Sequence, residues 1–209
     1  MYNRRYVINQ FLRLVEKLPF VNLNQTLRLH GKIYVLVPKA GTRTIRDEFL
    51  NHRALKKGEE WRYIHYVTRA QLRKMSKSNT VCVVLRDPLE SLHSCWKQKI
   101  LSQYADKDTF FYFWNYFPFI RRDMSFLAFL KVIRWLPSVM CEKHFRPLSV
   151  TVDLKGSDIH FIHLHELSSH LNRNEIVKIS NATEKTIIPQ DCVAYFNNNL
   201  RHRFRVTPK

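Results

Sequence analysis

Two short apolar runs govern what this chain can fold into: IYVLV at 33–37 and TVCVVL at 80–85. Each is too short for a buried helix and too apolar for an exposed loop, so each reads as a buried strand. The first stops at Pro38, and from Thr42 to about His52 the pattern turns helical, with Ile45, Phe49 and Leu50 on one face. The second stops at Arg86-Asp87-Pro88, and a helix is expected through about Tyr104. Asp87 can cap that helix and Pro88 suits its first turn. A third run, IHFIHL at 159–164, leads into a short helix in HELSSHLNR.

The intervening segments follow the same logic. Residues 53–63 are charged and read as a loop; TRAQLRKMSKS reads as a helix with Thr68 as its N-cap. The stretch 109–147 is rich in aromatics and helix formers and predicts two short helices broken near Pro118 and Pro137. DCVAYFNNNLRHRFRV predicts a final basic helix. Strand–loop–helix units in this order point to an α/β domain with a mainly parallel central sheet flanked by helices. At 209 residues a single domain over 1–209 is expected, with a basic amphipathic segment at 1–30 and the core from about 31.

Charge narrows the partners. The formal net charge is +18, an excess of Lys and Arg that attracts polyanions: nucleic acid, an anionic membrane, an acidic polysaccharide or a phosphorylated cofactor. Cys82, Cys95, Cys141 and Cys192 show no C-x-x-C pair and no zinc spacing with histidine. Free thiols are expected, with a Cys141–Cys192 bridge as the alternative. No run of about 20 apolar residues marks a membrane span. The N-terminal MYNRRYVINQFLRLVEKLPF has basic flanks and an apolar face, and it lacks the features of a signal peptide. It reads as a packed amphipathic helix, with contact to an anionic membrane surface as the alternative.

Ligands of such sheets bind at the carboxyl ends of strands, which singles out PKAGTRT after Val37 and RDPLESLHS after Leu85. A helix N-terminus offers free N–H groups and a positive dipole end, suited to phosphate or sulfate. Gly41 permits close backbone approach, Thr42 and Thr44 add hydroxyls, and Lys39 and Arg43 add charge. A nucleoside-triphosphate loop needs G-x-x-x-x-G-K followed by Ser or Thr. Here the lysine precedes the loop's one glycine. At the second strand end, Arg86 and Ser94, two helical turns on, can meet another phosphate. Two anion sites on successive strand ends suggest one ligand with two separated phosphates.

The pair VPKAGTRT and VVLRDPLESLHSCW resembles the sulfotransferase superfamily. CEKHFRPLSV followed by DIHFIHLHEL is similar to a segment and strand of its carbohydrate-directed members. The resemblance spans roughly 33–167. It implies a P-loop-like, three-layer fold and transfer of a sulfuryl group from 3′-phosphoadenosine 5′-phosphosulfate (PAPS) to a hydroxyl or amine, releasing PAP. It implies that Pro38, Lys39, Ala40, Gly41, Thr42, Arg43 and Thr44 bind the 5′-phosphosulfate, and that Arg86 and Ser94 bind the 3′-phosphate. No metal is expected. Many relatives carry threonine where Arg43 stands and arginine where Ser91 stands. The membrane anchor of Golgi relatives is also missing, so the resemblance suggests a cytoplasmic protein, peripheral at most.

A hydroxyl acceptor calls for a general base, and histidine suits neutral pH. His65, between the two phosphate segments, and His144, in His-Phe-Arg-Pro, are the candidates, with Glu60 and Glu142 as weaker ones. An anionic or neutral glycan or glycolipid acceptor is expected, with Lys97, Lys99, Arg121, Arg122, Arg146, Arg201, Arg203 and Arg205 as candidate groove residues and the aromatics of FFYFWNYFPF as sugar platforms. Two other readings stay open: a nucleotide or metabolite kinase with a degenerate phosphate loop, and a basic nucleic-acid- or glycan-binding domain without catalysis. No helix-turn-helix, zinc-finger or RNP signature supports nucleic acid.

Overall fold

A computed structural model describes residues 8, 11, 12, 21–101, 116, 118–152, 159–171 and 187–206. The N-terminal amphipathic segment and the FFYFWNYFPF stretch lie largely outside these residues. Five strands form one sheet: β1 (Asn24–Leu29), β2 (Lys32–Val35), β3 (His65–Val67), β4 (Val81–Leu85) and β5 (Ile159–His163), in the order β3-β1-β2-β4-β5.

The sheet is mixed rather than mainly parallel. β2–β4 and β4–β5 pair in parallel, with Val35 opposite Val83 and Val83 opposite Phe161. β1–β2 and β1–β3 pair antiparallel. The correction comes from a hairpin. His30 and Gly31 both take positive φ, 48° and 74°. That is the signature of the two-residue turn whose twist matches antiparallel strands. β1 then lies beside β2 without a crossover.

Among the described residues, eight α-helices accompany the sheet: α1 (Thr42–His52), α2 (Arg69–Ser76), α3 (Pro88–Lys99), α4 (Phe126–Trp135), α5 (Leu148–Thr151), α6 (Leu167–His170), α7 (Gln190–Asn199) and α8 (Arg201–Phe204). Strand residues alternate between two cores. Tyr34, Cys82 and Val84 pack with Ile45 and Phe49 of α1 and Leu167 of α6. Ile33, Val35, Val81 and Val83 pack with Leu72 of α2 and Val152. Both faces are therefore covered. A third, aromatic-rich core joins α3, α4 and α7 through Leu92, Phe129, Phe145 and Phe196.

Local chemistry sets the helix starts. The Thr68 hydroxyl accepts the Gln71 N–H, and the Asp87 carboxylate accepts the Glu90 N–H at 3.0 Å, with Pro88 next. α3 ends at Lys99, short of Tyr104, which lies outside the described residues. Only one helix, α4, is described between 118 and 137, followed by a 3-10 turn at Ser138–Met140. Arg203 pins the C-terminal segment to it, donating to the carbonyls of Ile133 (2.6 Å) and Leu136 (2.6 Å). Cys82, Cys95, Cys141 and Cys192 are all free and buried, so the alternative Cys141–Cys192 bridge is not formed. Among the described residues, no helix is long and apolar enough to cross a membrane.

Candidate functional site

The loop between β2 and α1 holds two residues in the left-handed region, Lys39 (φ 66°) and Gly41 (φ 72°). The positive φ of Gly41 favours glycine, and a β-carbon there would lie 2.5 Å from Leu167 Cδ2 and 3.1 Å from Leu164 Cδ1, so a larger residue would also have to displace those leucine side-chain ends. Lys39 is not glycine, and its backbone is held from outside: the Arg86 guanidinium donates to the Lys39 carbonyl at 3.1 Å. Arg86 also faces Glu90 at 3.4 Å. The two basic segments singled out in the sequence are thus bonded to each other.

Both open onto one cavity of about 770 Å³, within the range of small-molecule sites. Pro38, Lys39, Gly41, Thr42, Arg43, Thr44, Arg86, Ser94 and His144 all line it. Ala40 does not; it is buried in the core beneath the loop. The Thr42 hydroxyl donates inward to the Val37 carbonyl at 2.5 Å, so it shapes the loop and has no proton left for an anion. Gly41 gives α1 no side-chain cap, leaving the first-turn N–H groups to whatever occupies the cavity. His65 stands exposed on the short strand β3 and is not among the lining residues.

Lys39 is the electrostatic centre. Its ammonium contacts the Gln98 side-chain oxygen. Burial, with Lys99, Arg86 and Arg43 nearby, lowers its pKa from 10.5 to about 8, against a smaller opposing influence of Cys95. A cation held this way gains from an arriving anion. Ser94 is buried one helical turn before Gln98 on α3.

Glu142 and His144 form the second focus. Nδ1 of His144 lies 2.8 Å from each Glu142 carboxylate oxygen. Glu142 is only 2% exposed. Burial pushes the His144 pKa below the usual imidazole range, opposed by Glu142. Lys99 lines the same cavity and acts on both His144 and Lys39.

A third cluster takes in Glu60, a weaker base candidate in the sequence, with two residues the sequence does not single out. Arg46 on α1 bonds Glu60 at 2.6 Å and stacks over the Trp61 ring at 4.1 Å, and all three line the cavity. Helical spacing carried part of the signal, since Arg46 lies one turn beyond Thr42 and Gln98 one turn beyond Ser94. Of the proposed groove residues, Lys99 and Arg146 line this cavity. Arg201 and Arg205 line a second hollow of about 1010 Å³ together with Leu85, Leu89, Phe196 and Phe204. Arg86 and Leu164 belong to both hollows, which therefore adjoin.

No family model, curated protein or solved structure matches this chain. The functional reading stands on the site itself. Among the described residues, no three His, Cys, Asp or Glu side chains group as a metal-ligand set.

Proposed function

We propose that the chain is a PAPS-dependent sulfotransferase of carbohydrate hydroxyls or amines, with a P-loop-like arrangement in the parallel half of its sheet. The observation that carries this reading is the convergence of the Lys39 loop, Arg86, Ser94 and His144 on one cavity. The donor set suits a ligand with anions at both ends. An uncapped helix N-terminus and the half-buried Lys39 ammonium stand beside a guanidinium and a buried hydroxyl. The adjoining hollow beyond Arg86 offers room for the nucleoside base, with Phe196 and Phe204 as apolar walls.

In this reading Lys39 and the α1 N–H groups neutralise charge that grows on the departing phosphate oxygen as the S–O bond breaks. Arg86 and Ser94 hold the distant phosphate and fix the geometry of attack. His144 takes the proton from the acceptor hydroxyl, a role open to a neutral imidazole at the cavity wall. Excess basic lining, from Arg43, Lys57, Lys99 and Lys143, favours an anionic glycan acceptor.

The test is a ligand comparison by thermal shift and calorimetry with PAP, ADP, AMP and ATP–Mg²⁺, followed by transfer of labelled sulfuryl groups from PAPS to polysaccharides. PAP should stabilise the fold most, and Arg86→Ala should abolish the shift. A clear preference for ATP–Mg²⁺ would favour a kinase instead.

A further inference from the structure

We infer that Glu142 is a positioning residue for the acceptor base: its carboxylate holds His144 as the Nδ1–H tautomer and turns the Nε2 lone pair into the cavity. The catalytic consequence rests on the sulfuryl-transfer reading; the tautomer does not. Both carboxylate oxygens lie 2.8 Å from Nδ1, and Oε2 also accepts the His144 backbone N–H at 2.7 Å. An ionised carboxylate only accepts, so the shared proton belongs to Nδ1. The carboxyl is held below its usual range by its bonds to His144, against the opposing effect of burial.

Nε2 makes no hydrogen bond to any described residue, yet no buried side-chain nitrogen or oxygen among the described residues lacks a partner. Nε2 is therefore accessible, and His144 is one of the residues that line the cavity. The segment is fastened where it stands. Arg146 donates to the carbonyls of Cys141 at 2.6 Å and Val21 at 3.0 Å. Asn22 and Asn24 donate to the carbonyls of Val150 and Thr151 at 2.7 and 2.8 Å. Those asparagines belong to the chain leading into and beginning β1, so the imidazole is anchored to one wall of the cavity.

A buried carboxylate is a poor device for stability alone, since apolar residues of similar volume generally serve as well. Its advantage appears when Nε2 takes a proton: the imidazolium then forms 2.8 Å from a fixed negative charge. Burial, helped by Lys143 and Lys99, disfavours the imidazolium beforehand, while Tyr116, Cys95, Cys141 and Arg146 lie near the carboxylate.

Nitrogen-15 NMR of the full chain, with His144 assigned by His144→Asn, reads the tautomer without any ligand. The wild type should show Nδ1–H. Glu142→Gln, whose amide can donate to Nδ1, should populate Nε2–H. The same variant should lower kcat for sulfuryl transfer to desulfated polysaccharides by about 10²-fold or more, with PAP affinity unchanged. A wild-type Nε2–H tautomer, an unaltered tautomer in Glu142→Gln, or unaltered turnover after the tautomer has changed would each overturn the assignment. Where the Gln variant does not fold, Glu142→Asp replaces it: the remaining carboxylate must preserve Nδ1–H, and its loss counts against us. If the wild type transfers nothing, the sulfotransferase reading fails while the tautomer still decides the positioning.

Discussion

Raising the pH from 7 to 9 should weaken PAP binding through one residue, Lys39. Its pKa in the ligand-free protein is lowered to about 8 by burial, with Lys99, Arg86 and Arg43 nearby. About nine-tenths of the molecules carry that charge at pH 7 and about one-tenth at pH 9. A bound polyanion restores the charged form, so affinity should fall about tenfold over the interval, or about 1.4 kcal/mol. The background is quiet. The ligand's phosphates finish ionising near pH 6, and burial pushes the neighbouring Cys95 thiol up to about 12. Linkage gives the opposite sign for stability. The ligand-free fold bears the full cost of the half-buried ammonium below pH 8, and that cost is relieved as pH rises towards 10.5. Calorimetric titration at stepped pH, with Lys39→Met as control, measures the slope. A flat affinity, or the same slope in Lys39→Met, would refute contact between this ammonium and the ligand.

Other perturbations have equally specific outcomes. Arg86→Ala removes both the proposed phosphate donor and the bond to the Lys39 carbonyl, and should cost PAP affinity about 10²-fold by calorimetry. Gly41→Ala must accept φ 72° and displace Leu167, so urea unfolding should show a loss of about 1–3 kcal/mol. Ser125→Ala removes the hydroxyl that accepts the Ala128 N–H at the start of α4 and should cost about 1 kcal/mol. With four free buried cysteines, a thiol reagent should label slowly until denaturant is added, and reductant should leave the melting temperature unchanged.

What was legible in the sequence is what local chemistry decides. The apolar runs, the Thr68 and Asp87 caps and the glycine before Thr42 each act over a few residues, and α1 spans Thr42–His52 as expected. β1 was missed because Asn24 and Thr26 are buried polar residues, which hides the strand's alternation. Its turn also uses His30 in a conformation more typical of glycine or asparagine. The loop residues could be named from their pattern, but their orientation could not. Ala40 faces the core and the Thr42 hydroxyl faces its own loop. Separating His144 from His65 needed the fold, because both lie in plausible intervals and only one lines the cavity.

In the proposed reading, the bond from Arg86 to the Lys39 carbonyl couples the two anion sites. A guanidinium has five donors, so one can steady the loop while others reach a ligand. Occupying one site should therefore stiffen what the other must grip. By reciprocity, each site should then raise affinity at the other by the same factor. Two fragments, one bearing each phosphate, should bind together more tightly than their separate affinities allow, with Arg86 as the messenger between them.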